Sequence, residues 1–460
     1  MALLAAISSS EGHLRQSLRW LLAACVVIAF VAYQNFLEGH PRTRTQPYDF
    51  FHAYIGAKYF PELRYTRFYT CMLTADREDN YTPATTSTTI RLRNPLTQQR
   101  TALQYVTIDP THCRLYFTAE RWASYKADLA AFKKLLGDEN YLRLYGDHGF
   151  NATPFWVATS GQLTKIFSSD IQSLQYISIL DLILLVGIFA VLLYGFGYPL
   201  AAMTFCLFLC QAVSSFLWLG YSYARYDWIF YLCTAIALLK REKLSYGAFF
   251  LTLATAVRFF PGIPLAMLVI WALVQDNHSA FRKVLFGIGC AACCILAATL
   301  LEGMSITDWI ACLRNALLLS KVHAANFLGL PTLIRFYNQP LITLASYSIA
   351  GLYILVLLGL STRLEAYEAC LLSTAAILYI NAANYYHNYF VLLALCASVH
   401  PLSIIITSLA AGASWFASNG DGPALSGSVY WTILLHSLYC LIILAFYIRF
   451  RLSGNSKQQN

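Results

Sequence analysis

The residues best suited to chemistry stand in the run Pro47-Tyr48-Asp49-Phe50-Phe51-His52-Ala53-Tyr54. Asp49 and His52 are three residues apart, close to one helical turn, so both side chains can face one cleft. A carboxylate and an imidazole among aromatic rings suit proton transfer, with Asp49 as general base and His52 as substrate contact. Tyr48 and Tyr54 would line the same cleft and offer a ring face for stacking. Each residue also has a plainer reading. Asp49 can cap a helix beginning at Phe50, and His52 can simply hydrogen-bond a tyrosine.

Three more segments bring polar groups to what topology makes the same side. Arg258 stands in Val257-Arg258-Phe259-Phe260-Pro261, where the proline breaks a helix and turns the chain back. It reads as a phosphate ligand or as an arginine snorkelling to lipid headgroups. Lys321 and His323 follow an amphipathic stretch and read as headgroup or substrate contacts. His387, in Asn384-Tyr385-Tyr386-His387-Asn388-Tyr389, reads as a site residue or as part of a satisfied polar cluster. Asp181 lies within an apolar run, where an ionisable group is costly and often functional. Apart from Asp181, the run at 47–54 and the Arg258, Lys321–His323 and His387 segments together supply one acid, three imidazoles and two cations to one face.

What positions them is a membrane scaffold. The 460-residue chain is 58% hydrophobic and 12% charged, with mean hydropathy +0.53, whereas soluble domains carry about a quarter charged residues. Apolar runs of about 20 residues imply a polytopic all-α membrane protein. The sequence divides into about twelve spans, near 18–37, 173–195, 198–219, 226–240, 244–258, 260–275, 284–301, 341–360, 366–383, 387–400, 402–417 and 429–449. The first reads as a retained helix rather than a cleaved leader. With the N-terminus inside, eleven Lys and Arg fall on short inner segments and five on short outer ones. That asymmetry places both termini in the cytoplasm and accounts for most of the net charge of +9 without nucleic acid.

Four regions follow: 1–37, tail and first span; 38–172, an extracytoplasmic insertion; 173–449, the multi-helix membrane domain; and 450–460, a cytoplasmic tail. The insertion holds 16 Lys/Arg and 13 Asp/Glu, a balanced water-facing composition. Ser87–Arg93 and Thr101–Ile108, split by Asn94-Pro95, alternate as a hairpin does. Ala119–Leu136 shows helical periodicity, with Trp122, Leu129, Phe132 and Leu136 on one side. Asn151-Ala152-Thr153 fits the glycosylation acceptor pattern of a secretory pathway. Of thirteen cysteines, only Cys71 and Cys113 lie in the insertion. An oxidising compartment permits a disulfide between them, the alternative being two buried thiols. Cys290, Cys293 and Cys294 have metal-like spacing but no His or acid beside them.

An acid after the first span, a membrane-parallel segment and a broken helix bearing a cation resemble the GT-C polyprenyl-phosphate-sugar-dependent glycosyltransferases, in their bacterial mannosyltransferase-like branch. The matching pieces are Tyr48-Asp49-Phe50-Phe51, Arg258-Phe259-Phe260-Pro261, Asn326-Phe327-Leu328-Gly329-Leu330 and Tyr386-His387-Asn388-Tyr389. The resemblance implies a GT-C-like helical fold with a small α+β extracytoplasmic insertion, in a bacterial plasma membrane of the cell envelope. It implies inverting transfer of a hexose from polyprenyl phosphate to a glycan, lipid or protein acceptor on the outer face, Asp49 acting as base and Arg258 binding the lipid phosphate. The family's paired acidic motif is missing, so the resemblance indicates no cofactor, and a divalent metal is only permitted. Rival readings are a lipid or glycolipid transporter or flippase and an outer-leaflet acyl or phosphoryl transferase.

Overall fold

A helix needs about 20 apolar residues to cross a bilayer, and in the computed structural model three helices among the described residues meet that requirement. The structure describes residues 12–39, 44–81, 90–94, 97–102, 105–106, 110–210, 219–275, 277–319, 327–328, 340–379 and 382–398, with short pieces at 404–405, 407–409, 442–445 and 448–449. The first long apolar helix, α1 (Gly12–Tyr33), spans by its Gln16–Tyr33 portion. It leads into a water-facing cap.

The cap is built around α2 (Pro47–Lys58), whose Phe50, Phe51, Tyr54, Ile55 and Ala57 are all buried. Pro47 starts this helix because proline lacks only an N–H that the first turn leaves unbonded. Asp49 lies within the first turn, not at the cap, since the residue preceding the helix is Gln46. Next come α3 (Phe68–Glu78) and a short antiparallel ribbon, β1 (Arg91–Arg93) and β2 (Arg100–Ala102), which pairs Leu92 with Thr101. Helix α4 (Ala119–Leu136) has the bounds that periodicity predicts. Its Trp122, Leu129 and Phe132 are buried, and Thr118 accepts from the Arg121 N–H at 3.2 Å as an N-cap. Gly137, at φ +73, joins it to α5 (Asp138–Arg143), and α6 (Pro154–Ala158) closes the cap. A disulfide joins Cys71 in α3 to Cys113, with Cα atoms 5.4 Å apart.

The chain re-enters the apolar region through α7 (Ile171–Phe196), capped by Asp170, whose carboxylate accepts from Ser173 N–H at 3.0 Å. The helices α8 (Tyr198–Leu209), α9 (Asp227–Lys240), α10 (Leu244–Val257) and α11 (Gly262–Val274) have 12 to 14 residues each. The third long apolar helix is α12 (His278–Leu301). It packs on α10, where a Cβ added at Gly287 would lie 2.1 Å from the Ser245 carbonyl oxygen. Only glycine allows that backbone approach, as is common between membrane helices. Then follow α13 (Ile306–Leu319), α14 (Pro340–Leu360) and α15 (Ala366–Thr374), the last buried along its length, and a 3-10 helix at Asn384–Ser398. A two-residue bridge pairs β3 (Phe327–Leu328) with β4 (Ala382–Ala383).

The expectation of about twelve spans is thereby corrected: among the described residues three helices are long and apolar enough to cross. Hydropathy measures how apolar a run is, not whether its helix is long enough to cross. Gly197 separates α7 from α8, Arg241–Lys243 separate α9 from α10, and Arg258–Pro261 separate α10 from α11. At 1.5 Å per residue, helices of this length reach about 20 Å, short of the roughly 30 Å apolar layer. The three long helices do make this a multi-pass membrane protein, and they leave apolar side chains bare as lipid-facing helices do. Val27 and Ile28 of α1, Ile183 and Val186 of α7, and Phe286 and Leu300 of α12 are exposed.

Helix α13 reverses the pattern of a water-soluble amphipathic helix. It buries Asp308, Cys312 and Asn315 and exposes Ile306, Ile310, Leu313 and Leu317. Arg64 of the cap holds Asp308 at 2.9 Å. An apolar stripe at i, i+4, i+7 and i+11 that faces away from the protein fits a helix lying in the membrane interface.

Candidate functional site

Helix α2 sends Asp49 and His52 to different partners. Both Asp49 carboxylate oxygens are engaged by Arg225, through Nε to Oδ2 at 2.9 Å and through a second contact from Nη2 to Oδ1. The Arg225 backbone is held in turn, its N–H donating to Asp181 Oδ1 at 2.8 Å. Asp181, isolated within α7 in the sequence, therefore fixes the turn that carries the arginine. One residue on, Tyr226 meets Tyr33 of α1 through their hydroxyls, and Asp227 accepts from Ser160 at 3.0 Å. Arg258 and Arg225 both act electrostatically on Asp227, and the Arg258 guanidinium lies 6.0 Å from the Tyr386 ring centre. Sequence reading missed Arg225 and Asp227. Their one signal was charge at the edge of an apolar run, in Ala224-Arg225-Tyr226-Asp227.

His52 turns toward the cap. Its Nε2 is 3.0 Å from the Tyr69 hydroxyl, which also accepts the Gly149 N–H at 2.8 Å, and its Nδ1 is 3.8 Å from Asp147 Oδ2. Tyr48, one turn earlier, faces Asp147 as well. Asp147 accepts the N–H of His148 at 2.8 Å and sits in a 460 Å³ cleft with Tyr48, Ile90, Arg91, Arg100, Leu142 and Arg143. Burial lowers the pKa of His52, and Asp147 only partly offsets it. Burial also lowers that of His148, to about 4, with Arg93, Arg100 and His52 adding to the effect and Asp147 opposing it.

These two imidazoles predict an acid-labile cap. An unfolded histidine takes up a proton near its ordinary value of 6.5, whereas folded His148 does so near 4. The stabilisation is complete above about 6.5 and falls as pH drops toward about 4, because the unfolded chain binds more protons in that window. Asp76, whose pKa burial raises, acts in the opposite sense, so the variant rather than the bare pH curve isolates the histidine. Thermal unfolding of the full chain in detergent should show Tm falling from pH 7 to 4.5, with a shallower slope in His148→Gln.

A second cavity, of 570 Å³, lies where the cap meets the end of α12. Lys58, Glu62, Arg121, Lys165 and Glu302 give it charge, and Phe60, Ile166, Phe167 and Met304 give it apolar surface. Its charges are paired: Lys58 with Asp128 at 2.7 Å, Arg121 with Glu62 at 2.7 Å and Lys165 with Glu302 at 2.6 Å. The last pair ties the cap to the first residue beyond the third span.

The remaining candidates separate. Tyr54 is buried and donates to the Phe167 carbonyl at 2.8 Å, so it braces the cap. Lys321 and His323 lie outside the described residues, as do Asn326, Gly329 and Leu330 of the third matching piece. His387 falls in the 3-10 helix, its side chain outside the described set. Cys290, Cys293 and Cys294 are half-buried or exposed on α12. Among the described residues no three His, Cys, Asp or Glu side chains stand together as a metal site.

These placements correct the sugar-transfer reading. A hexosyltransferase of the GT-C type with Asp49 as base requires a many-span scaffold and a carboxylate open to an acceptor. Among the described residues three helices are long enough to span, and Asp49 is clamped by Arg225. The GT-C resemblance, the polyprenyl-phosphate donor and the mannosyltransferase-like activity that followed from it are withdrawn together. Comparison with known proteins agrees: no family model matches the chain, and neither does any curated protein or solved structure.

Proposed function

We propose that this is a membrane-anchored binding protein whose cap sits on the outer face and takes the headgroup of a zwitterionic membrane lipid. The observation that carries this reading is the 570 Å³ cavity at the end of α12, lined by both charged and apolar side chains. A phosphate beside Lys165 and Arg121 and an amine beside Glu302 and Glu62 would exchange one set of charge-assisted bonds for another. The acyl chains would leave past Ile166, Leu300 and Leu301, which are all exposed. Helix α13, apolar side outward, sets the level of the headgroups. The disulfide favours an oxidising compartment for the cap, and the basic inner segments favour a cytoplasmic N-terminus.

The test is lipid retention. Protein purified in mild detergent should carry a phosphatidylethanolamine-type lipid by native mass spectrometry, and Lys165→Glu should lose most of it. The reversed pair Lys165→Glu/Glu302→Lys should recover part, since both charges are again present. Equal retention in wild type and Lys165→Glu would rule the cavity out.

A further inference from the structure

The arginine-lined cleft at the other end of α2 has no part in lipid binding as described, and its chemistry points elsewhere. Its wall carries Arg91, Arg100 and Arg143 against the single carboxylate of Asp147. Like charges are gathered where the fold gains nothing from proximity alone, and three guanidiniums present a surplus of planar donors. Their arrangement is held from behind. Arg100 Nη2 and Arg93 Nε both donate to the Gly146 carbonyl, at 3.0 and 3.1 Å, and that residue begins the turn carrying Asp147. The ribbon and the end of α5 are thus fixed relative to each other before any ligand arrives.

We propose that this cleft binds a small phosphate monoester. Three arginines match the three terminal oxygens of a dianionic phosphoryl group, each guanidinium able to meet two of them. The volume of 460 Å³ exceeds what a bare phosphate needs and leaves room for an organic portion. Ile90 and Leu142 give that portion an apolar wall, and Asp147 and the Tyr48 hydroxyl give it polar partners. Asp147 accepts a ligand hydroxyl where, without the arginines around it, it would repel the phosphate. Arg143 also pairs with Glu139 at 2.5 Å, and ligand entry draws it from that exposed partner, where a surface ion pair holds it weakly.

The experiment is calorimetric titration of the full chain in detergent with glycerol 3-phosphate, inorganic phosphate and sulfate. Glycerol 3-phosphate should bind most tightly, and Arg91→Glu should weaken it at least about tenfold, as expected for exchanging an attractive charge for a repulsive one. Arg91 is exposed, so the variant should keep the wild-type Tm, which is measured alongside. Lys165→Glu, in the other cavity, should leave this affinity unchanged. Equal affinity for all three anions would reduce the cleft to a non-selective basic patch. Unaltered binding in Arg91→Glu, or none in wild type, would overturn the site.

Discussion

Asp49→Ala is expected to destabilise the folded protein by about 3–5 kcal/mol, the range for stripping one partner from a buried ion pair. The Arg225 and Asp49 side chains are only 18% and 16% exposed. Without the carboxylate, the guanidinium keeps only its limited exposure to water, and Asp181 holds its backbone in place. Asp49→Asn keeps the shape and one acceptor, so it should cost less. Arg225→Met should cost about as much as Asp49→Ala, since it leaves a buried carboxylate. The double variant should be close to either single one, because each loss includes the penalty of the orphaned partner. Urea or SDS titration of the four proteins gives the coupling. Additive losses in the double variant would show that the two groups do not act as a pair. Unchanged stability in Asp49→Ala would return Asp49 to the list of groups available for chemistry.

The second large effect concerns the cap alone. Cys71 and Cys113 are fully buried and 42 residues apart in sequence. Closing a loop of that length removes chain entropy from the unfolded state worth ~4 kcal/mol at room temperature. The double replacement Cys71→Ala/Cys113→Ala should therefore lower cap stability by about that amount, and reductant should do the same to wild type. Both strands of the arginine-lined ribbon lie inside this loop, so phosphate monoester affinity should fall as well. Hydrogen exchange resolved by segment is the suitable readout. Protection should drop in α3, the ribbon and α4 while α10 and α12 keep theirs. A cap equally protected without the bond would mean that its aromatic core suffices.

What could be read from the sequence was local. Helix α4 announces itself through the spacing of Trp122, Leu129 and Phe132, because a 3.6-residue period with one apolar face has few other uses. Cys71 and Cys113 stood out as the two cysteines of the water-facing insertion. Contacts between distant segments stayed hidden. Asp49 meets an arginine 176 positions away, and nothing in either neighbourhood marks the other. Asp181 could be flagged as costly inside an apolar run, but its partners are backbone N–H groups, which no residue type reveals. Asp147 sat in Gly146-Asp147-His148-Gly149, which reads as a helix breaker, so its place between His52 and three arginines went unseen. The span count failed for another reason. The breaks at Arg241–Lys243 and Arg258–Pro261 were placed, but the pieces of 13 and 14 residues beside them were each counted as a crossing although they are too short to make one.

The contact at Gly287 has a mechanical consequence. With the Ser245 carbonyl oxygen seated where a β-carbon would be, the two helices are keyed at one point. Sliding α12 by one turn would bring Val284 or Ala291 to that notch, each with the β-carbon that Gly287 lacks. The third span therefore cannot work as a piston. Any movement of the cap transmitted through Lys165 and Glu302 must tilt or rotate α10 and α12 together, as a rigid two-helix lever.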